Sequence, residues 1–582
     1  MNKLSSYLQP WMALPLRMIG SVLVILGALL PWATFVLNKG PYPAKATLQF
    51  FDAPFELTNF RLHLLLFGLA ALVVTFAPVP AKSRVLRGLG WGAVLMSVVN
   101  LGFIVYDGGG LGAVTVGDAP AFGGFVALFG GLSLLASVLA AGIEEPVHLP
   151  TRMNRFVAWA ILLVSFAGLL MMVAWMLTVG GQGGVTNPYA GAQFLSFIGF
   201  AGGLMAALQG AGLLPWIGRL SEEHRPFSIV VLLGCALALP FTGAGTDYWM
   251  RVAANIGIYA ATAIGLNVVV GLAGLLDIGY VAFLGIGAFV AANLSGAVAS
   301  KLDITLPFVV AAVISAVVAG TFGAIVGSPT LRVRGDYLAI VTLAFGEIFV
   351  RSAQNNIGGL TGGPNAIPGV PPITLFDTGF NEPITVGGIE LPTGVLYYFV
   401  IVLLVAVVMA MFANLKNSRI GRAWIAIRED EDVAKAMGIR TGRVKILAFM
   451  VGATTAGLSG AVFAHLQGTA SYESFKFLES VTLISAVILG GMGSIPGAVL
   501  GASLLFVLPE KLREFSEYRL LLFGLALVLI MRFRPQGLVP DKHRRAELAG
   551  EDFEGRPLDE SVTEQVHLPT LGTATPPREA TT

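Results

Sequence analysis

The chain is poor in cysteine and poor in charge. Cys235 is its only cysteine among 582 residues, and it lies within an apolar run. A single cysteine excludes a disulfide framework and a cysteine-ligated metal site. Charged residues make up 12% of the chain, whereas hydrophobic residues make up 55%. A water-soluble domain cannot bury so much apolar surface, so the composition predicts a polytopic membrane protein.

The motifs of nucleotide binding and of hydrolytic chemistry are also missing. The sequence contains no G-x-x-x-x-G-K-[ST] phosphate loop, no H-E-x-x-H metal motif and no G-x-S-x-G nucleophile turn, and its six histidines are scattered. We therefore predict no catalytic residue, no metal site and no cofactor on this chain. Nothing indicates a nucleic-acid partner. The sequence favours a protein that moves or positions something over an enzyme.

Long apolar runs recur along almost the whole chain. Most reach roughly 18 residues, enough for a helix to cross the hydrocarbon core of a bilayer, and the alternating short strands of a membrane β-barrel are absent from the sequence. This predicts an all-α fold. The N-terminal spans are predicted at 16–37, 60–79, 89–106, 121–142, 156–178 and 195–217. The later spans are predicted at 227–242, 252–275, 278–298, 307–327, 337–353, 393–413, 446–466, 478–490, 495–509 and 518–532.

Basic residues are concentrated in alternate links between these runs. Residues 81–87, 144–155, 218–227 and 414–445 carry Lys and Arg, whereas 354–392 carries neither. Since cytoplasmic loops are enriched in Lys and Arg, both termini and these basic links are predicted to be cytoplasmic. The link 354–392 is predicted to be external, with Asp377, Glu382 and Glu390 available to a partner. The acid-rich end of the chain predicts a disordered tail.

A glycine-rich interruption follows from the same orientation argument. Residues 445 and 532 are both predicted to be cytoplasmic, so an even number of crossings must separate them. Reading 478–509 as one helix gives three crossings, whereas a break at GGMGSIPG, residues 490–497, gives four. A second glycine-rich stretch, GLAGLLDIGYVAFLGIGAF at 271–289, has a similar interruption. Interrupted helices often line a transport path.

Polar and small residues within the spans are candidates for a translocation path. Polar groups inside a membrane are costly and commonly functional. Asn and Thr side chains also bond neighbouring helices, and Glu347 has Arg351 four residues on as a pairing partner, so structural roles stay open. Other polar residues with the same two interpretations are Asn255, Asn293, Thr454, Thr455 and His465. The candidate path residues are Asn267, Gly271, Gly274, Asp277, Glu347, Gly490, Gly491 and Gly493.

The stretch NSRIGRAWIAIREDEDVAKAMGIRTGRVK, residues 417–445, differs from its surroundings because 11 of its 29 residues are charged. Acidic residues open the segment EDEDVAKAMG, and Gly438 is a natural helix stop. The preceding GRAWIAIR places apolar residues beside two arginines. We predict one or two short helices with an apolar face and a charged rim that dock on a partner. The predicted residues are Arg422, Ala423, Trp424, Ile427, Arg428, Glu429, Asp430, Glu431, Asp432, Ala434, Ala436 and Gly438.

This stretch resembles the cytoplasmic loop of ABC-importer permeases, in which a short helix with an E-A-A-like pattern fits a groove on the ATPase. The chain further resembles the LivM-type branched-chain amino acid permease over about 225–540. The similar segments, in order, are AIGLNVVVGLAGLLDIGYVAFLGIGAFVAA, LRVRGDYLAIVTLAFGEIFVR, GGLTGGPNAIPG, GRAWIAIREDEDVAKAMGI, LGGMGSIPGAVLGA and RPQGLV.

The resemblance implies an ABC-importer permease bundle with broken or re-entrant helices, preceded by about six extra transmembrane helices. The expected regions are an accessory membrane block at 1–225, a permease domain at 226–540 with its coupling loop at 414–445, and a disordered cytoplasmic tail at 541–582. The implied partners are a second permease, two ATPases that carry ATP-Mg, and a periplasmic binding protein, in a bacterial inner membrane. Import of urea, amides or another small solute, or ion-coupled transport through a carrier or channel, stays open.

Overall fold

The computed structural model describes most of the chain. The described residues are 9–32, 36–37, 40–41, 60–79, 81–107, 110–116, 119–142, 144, 149–150, 153–178, 190–329, 336–375, 378–386 and 389–511, with 521, 524–525, 528, 532 and 537–539. The predicted tail at 541–582, residue Asp377 and most of the predicted span 518–532 lie outside them.

α-Helices dominate the described residues. Apolar side chains and glycines that pack between helices fill most of their length, as the runs of the sequence predict. The helices are α1 (Ala13–Leu29), α2 (Phe60–Phe76), α3 (Lys82–Asp107), α4 (Gly123–Ala141), α5 (Arg155–Thr178), α6 (Ala190–Gly210), α7 (Leu213–Glu223), α8 (Arg225–Ala238), α9 (Asp247–Asn267), α10 (Val281–Leu294), α11 (Phe308–Gly327), α12 (Asp336–Gln354), α13 (Thr393–Asn417), α14 (Arg419–Glu429), α15 (Glu431–Ala436), α16 (Thr441–Gln467), α17 (Phe477–Gly490) and α18 (Ile495–Lys511).

Strands in the described residues are two or three residues long. Each pairs with one partner in a two-stranded ribbon, so no larger sheet forms there. The strands are β1 (Val36–Leu37), β2 (Gly40–Pro41), β3 (Thr115–Val116), β4 (Ala119–Pro120), β5 (Ile367–Pro368), β6 (Thr374–Leu375), β7 (Thr378–Gly379), β8 (Ile384–Val386), β9 (Ile389–Leu391) and β10 (Thr469–Ala470).

Within the described residues, nine helices are long and apolar enough to cross a membrane, or ten if one sharply bent pair counts as a single span. Three further apolar helices, α2, α10 and α17, are shorter than 18 residues. The predicted all-α polytopic membrane fold is confirmed. The short helices α10 and α17 each border one of the predicted interruptions, which is why they fall below the length of a full span.

The predicted link at 218–227 is largely helical. Helix α7 continues to Glu223, α8 begins at Arg225, and the two are bent by 109°. The charges of this segment suggest a loop. However, Leu220 is fully buried against Ala158 and Leu162 of α5, so α7 is an amphipathic helix that turns one apolar edge inward.

The chain divides into two compact units. Unit 1 comprises 1–255, 375–403 and 506–523, and unit 2 comprises 256–374, 404–505 and 524–582. In unit 1, α1 packs on α2 and α4, and α3 packs on α4 and α6. Small residues allow these close contacts: a Cβ atom on Gly203 would lie 2.6 Å from the Cα of Gly92.

Unit 2 is built around α16. Helices α10 and α11 pack on α16 and on each other. Backbone contact is close here too, since a Cβ atom on Gly460 would lie 2.0 Å from the carbonyl oxygen of Leu284. The candidate path residues and the charged stretch 417–445 all belong to this unit. The predicted division into an accessory membrane block at 1–225 and a permease domain at 226–540 stays a prediction.

Candidate functional site

The first interruption, residues 268–280, separates α9 from α10. Helix α9 runs into a π-helical turn at Val268–Leu272, and Gly274 then adopts a φ of +69°. A wide π turn is common at functional sites because it disturbs the regular ladder of backbone bonds. The interruption is buried over most of its length, including Gly271. It overlaps the predicted glycine-rich stretch 271–289 over residues 271–280, whereas residues 281–289 belong to α10.

The second interruption, residues 491–494, separates α17 from α18. Gly491 and Gly493 have φ values of +124° and +79°, which residues with a Cβ atom rarely adopt. A Cβ atom on Gly490 would lie 1.9 Å from the carbonyl oxygen of Gly497. Because Gly490, Gly491 and Gly493 are all buried, the predicted break at GGMGSIPG is present and lies inside the protein.

Asn267 joins the two interruptions. Its Oδ1 accepts the backbone N–H of Gly493 at 2.8 Å, and its Nδ2 donates to the carbonyl oxygen of Ser494 at 3.0 Å. The Asn267 side chain is fully buried. Gly271 makes room for it, since a Cβ atom there would lie 1.9 Å from Asn267 Oδ1. The predicted path residues Asn267, Gly271 and Gly493 are therefore in one cluster.

Asp277 lies further along the chain in the first interruption. Its Oδ1 accepts the backbone N–H of Gly279 at 3.1 Å, and its buried Oδ2 has no hydrogen-bond partner among the described residues. Nearby, the hydroxyl of Tyr280 donates to the carbonyl oxygen of Gly452 on α16 at 2.6 Å. Asp277 is 1% exposed. A buried carboxylate oxygen without a donor is costly, which marks this residue for a functional test.

Glu347 stands apart from that cluster. It lies on the exposed face of α12, beside the exposed Ile348. Arg351 donates to Gln354 Oε1 at 3.0 Å, and no ion pair between Glu347 and Arg351 is present among the described residues. The pairing that the sequence suggests for these two side chains is not formed. Glu347 as a path residue stays a prediction.

The other polar span residues have contacts typical of helix packing. Asn293 Nδ2 donates to the carbonyl oxygens of Phe289 at 2.8 Å and Leu360 at 2.7 Å. Thr455 Oγ1 donates to the carbonyl oxygen of Gly452 at 2.6 Å. His465 lies with its Nδ1 2.8 Å from the carbonyl oxygen of Ala461. These bonds support the structural interpretation of the three residues.

Two short helices, α14 and α15, form what we call the helical pair. Ser418 caps α14 by accepting the backbone N–H of Gly421 at 3.2 Å. Asp430 caps α15, because its Oδ1 accepts the N–H groups of Asp432 at 2.8 Å and Val433 at 2.9 Å. Side-chain oxygens at this position satisfy N–H groups that have no helical partner. The predicted helical element is thus two capped helices.

Gly438 ends the helical pair as the sequence predicts. Its φ is +86°, its N–H donates to the carbonyl oxygen of Lys435 at 3.0 Å, and the next N–H, of Ile439, donates to Ala434 at 3.1 Å. These two bonds define a Schellman turn, in which glycine takes the left-handed position. A Cβ atom on Gly438 would have open space around it, with no atom of the described residues within 4 Å. The requirement for glycine is therefore conformational rather than steric.

The inward face of the helical pair packs on its own chain. Trp424 is fully buried and its Nε1 donates to the carbonyl oxygen of Val444 at 2.8 Å. Ile427 and Ala434 are also buried, at 5% and 3% exposure. The apolar face predicted to dock on a partner is covered here by unit 2 itself. Trp424, Ile427 and Ala434 therefore anchor the helical pair to unit 2.

A different apolar patch is exposed on α15. Val433 is 58% exposed and Met437 80% exposed, and Ala436 beside Met437 is exposed as well. We call these three residues the α15 patch. Among the other predicted coupling residues, Ala423 is partly exposed, and the charged or glycine positions Arg422, Glu429, Asp430, Asp432 and Gly438 are exposed. Glu431 turns back and bonds Lys445 Nζ at 2.5 Å, which fastens α15 to α16.

Two basic side chains connect the helical pair with the interruptions. Arg428, on the last turn of α14, donates from Nη1 to the carbonyl oxygen of Gly271 at 2.9 Å. Lys416, near the end of α13, donates to the carbonyl oxygen of Gly493 at 3.0 Å. Arg428 also lines a cavity of about 390 Å³ with Gly271, Gly274 and Met492. The two predicted sites, the path and the coupling loop, meet at this place.

Sequence reasoning misses Lys416, Lys445 and Met437. In the sequence, Lys416 and Lys445 count only as charges that set orientation. Lys416 contacts a residue far away along the chain, and Lys445 reaches back to the preceding helix, so local spacing gives no signal for either contact. Met437 has a usable signal, because it is a large apolar residue that follows Ala436 at the end of a charged, capped helix.

Residues 248–531 match the family described as "Branched-chain amino acid transport system / permease component". The chain is 40% identical to the high-affinity branched-chain amino acid transport system permease protein LivM of Escherichia coli (strain K12), over 56% of this chain and 78% of the relative. It belongs to this permease family. The permease is a multi-pass membrane protein and, by its family, a transport subunit.

More distant relatives match shorter parts of the permease. It is 25% identical to the probable branched-chain amino acid transport permease protein LivM of Methanocaldococcus jannaschii, over 38% of this chain and 64% of the relative. It is 32% identical to the high-affinity branched-chain amino acid transport system permease protein LivH of Salmonella typhimurium, over 22% of this chain and 43% of the relative. No solved structure is a significant match to this chain.

Proposed function

We propose that this protein is a permease subunit of an ABC importer that translocates branched-chain amino acids. ATP hydrolysis takes place on separate ATPase subunits, with ATP-Mg bound there and no cofactor on this chain. A second, related permease completes the membrane pathway, and a periplasmic binding protein delivers the solute. The names of the LivM and LivH relatives support the solute and the presence of a second permease.

The helical pair is the observation that carries this proposal. Both of its helices are capped, its inner face is fixed on unit 2, and the α15 patch is exposed. An apolar patch rimmed by charges is typical of a protein interface. Arg428 on the pair and Lys416 just before it also contact the two interruptions. These contacts support a route by which an ATPase bound to the patch acts on the proposed translocation path.

In this proposal, the permease lies in a bacterial inner membrane. The helical pair and both termini face the cytoplasm, in agreement with the basic residues of 414–445. The link 354–392 faces the periplasm and the binding protein. Its Glu382 and Glu390 are exposed, so they are available to a basic patch on that partner. Asp377, the third carboxylate proposed for this contact, lies outside the described residues.

The experiment changes the α15 patch without changing the membrane spans. We expect Val433→Asp and Met437→Asp to lose co-purification of the ATPases and to lose leucine uptake in proteoliposomes with the complete set of partners. Val298→Asp is the matched control, because Val298 is 91% exposed and lies beside Gly369 in unit 2, outside the helical pair. It is expected to keep ATPase co-purification, because it lies beside the link 354–392 and not beside the helical pair.

Three outcomes contradict parts of this proposal. Normal ATPase binding and uptake in both aspartate variants would show that the ATPase does not bind the helical pair. Uptake of urea or acetamide in place of leucine, by the unaltered complex, removes the amino-acid assignment. Uptake driven by an ion gradient without ATP would show that the protein is a secondary carrier or channel and not part of an ABC importer.

A further inference from the structure

Two backbone carbonyl groups in the interruptions bond basic side chains. The Gly271 oxygen lies in the π turn of the first interruption and accepts from Arg428 Nη1 at 2.9 Å. The Gly493 oxygen lies in the second interruption and accepts from Lys416 Nζ at 3.0 Å. Interrupted helices leave carbonyl oxygens without a regular helical donor, and a charged donor forms a strong bond with such a group.

These two bonds hold α14 at both ends. Lys416 lies just before the Ser418 cap of α14, and Arg428 lies on its last turn. The interruptions are themselves joined through Asn267, which bonds both the N–H of Gly493 and the oxygen of Ser494. A closed circuit of contacts results. It runs from α14 through Arg428 to the first interruption, through Asn267 to the second, and through Lys416 back to α14.

The Arg428 side chain is held in a defined orientation. Its Nε and Nη2 donate to Glu429 Oε1 at 3.0 and 2.6 Å, which leaves Nη1 directed at Gly271. Its stem passes directly over Gly274, where a Cβ atom would lie 2.6 Å from Arg428 Cγ. The side chain is 19% exposed, so the bond to Gly271 is largely shielded from water. A cavity of about 390 Å³ adjoins this bond.

We infer that Arg428 and Lys416 are positioning residues that transmit movement of the helical pair to the two interruptions. The inference rests on the proposed function. The α15 patch binds the ATPase. Arg428 and Lys416 then transmit the displacement of the helical pair to the two interruptions. A rigid link between a moving element and the path has a specific consequence. Without the link, ATP hydrolysis continues and the solute does not move.

The test measures leucine uptake and ATP hydrolysis together in proteoliposomes that contain the full chain, the second permease, the ATPases and the binding protein. We expect Arg428→Gln and Lys416→Gln to lower uptake by about tenfold, since each removes a charged hydrogen bond. ATPase co-purification and hydrolysis should remain close to those of the unaltered complex. Arg428→Lys keeps a charged donor and should recover part of the uptake that Arg428→Gln loses.

Arg443→Gln is the matched control. Arg443 is exposed at the start of α16 and the change removes the same charge from the same segment, so uptake per ATP should stay unchanged. The double variant Arg428→Gln/Lys416→Gln should lose little more than the stronger single variant, because both bonds belong to one circuit. Two independent structural losses would add in the double variant, whereas two bonds of one circuit would not.

The outcomes distinguish the inference from the proposed function. If the unaltered complex neither binds ATPases nor imports leucine, the proposed function fails. If the unaltered complex imports leucine but uptake and hydrolysis fall in parallel in the glutamine variants, the inference fails. Unchanged uptake per ATP in both variants also overturns it. Loss of the purified complex in Arg428→Gln alone leaves Arg428→Lys and Lys416→Gln to decide.

Discussion

Asn267 and Gly493 are hydrogen-bonded across 226 positions of sequence, with Asn267 Oδ1 2.8 Å from the Gly493 nitrogen. Both residues are buried, and the same side-chain amide also donates to Ser494. The Asn267 amide thus bonds one backbone donor and one backbone acceptor that belong to the second interruption. The two interruptions are separate in sequence and share this polar joint.

The first prediction concerns the stability of that joint. Asn267→Ala leaves the Gly493 N–H and the Ser494 oxygen buried without this partner, which should cost about 2–4 kcal/mol of stability. Thermal unfolding of the detergent-solubilised permease measures the loss. Asn417→Ala is the control, since the Asn417 side chain is exposed and donates to Ala413 within its own helix. Equal melting temperatures for the two variants would show that the Asn267 hydrogen bonds do not stabilise the protein.

The second prediction separates conformation from space at Gly438. Gly438→Val should destabilise the end of α15 by ~1–2 kcal/mol, because a β-branched residue adopts a φ of +86° only at a cost. Gly438→Asn should cost less, since asparagine tolerates the left-handed region. We expect ATPase co-purification to fall in the order glycine, asparagine, valine. Equal recruitment by all three would show that the Schellman turn does not matter for docking.

The third prediction tests the bond between Glu431 and Lys445. The Lys445 side chain is 5% exposed and that of Glu431 is 25% exposed, so their 2.5 Å contact is mostly shielded. Lys445→Met should destabilise the protein by about 2 kcal/mol, because it leaves the Glu431 carboxylate partly buried without its cation. Glu431→Gln combined with Lys445→Met should recover part of that loss.

A double-mutant cycle on thermal unfolding measures this coupling. The exposed pair Glu473 and Lys476 supplies the comparison, since its two side chains are 61% and 51% exposed and 2.8 Å apart. Solvent-exposed pairs contribute little, so that cycle should give a coupling energy close to zero. A coupling energy for Glu431 and Lys445 no larger than for the exposed pair would contradict their role in fastening α15 to α16.

The features that the sequence predicts well are local ones. A helix start or stop depends only on neighbouring residues, so the acidic start of α15 and the stop at Gly438 can be predicted from the sequence. The two interruptions are also predictable, because glycine clusters at both of them and the alternation of basic links points to the second. Apolar runs locate membrane helices for the same reason: the bilayer imposes a length that is visible in the sequence.

The features that the sequence does not predict depend on which surface covers a residue. Trp424 and Ile427 form an apolar face, and the sequence does not say whether that face is covered by a partner or by the chain itself. The structure shows that unit 2 covers it. The segment 218–227 is a second example, since its charges suggest a loop while the burial of Leu220 shows an amphipathic helix. Long-range contacts such as Lys416 with Gly493 leave no pattern in the sequence at all.

The last prediction asks what Asp277 is for. Its Oδ1 accepts the N–H of Gly279, whereas its buried Oδ2 has no hydrogen-bond partner in the part of the chain that the structure describes. Asp277→Asn keeps an oxygen for Gly279 and removes any negative charge from a buried position. If Asp277 served stability alone, the neutral variant should unfold at the same temperature or a higher one and should transport normally, because a buried charge without a partner is costly.

We expect the two properties to separate instead. Asp277→Asn should keep its melting temperature and lose leucine uptake, since the buried Asp277 Oδ2 has no hydrogen-bond partner among the described residues and lies in the first interruption. Asp277→Ala should lose both, because it also removes the acceptor of the Gly279 N–H. Thermal unfolding and uptake, measured on the same preparations, decide between the two roles. Normal uptake by Asp277→Asn would exclude Asp277 from the translocation path and leave it a structural acceptor for Gly279.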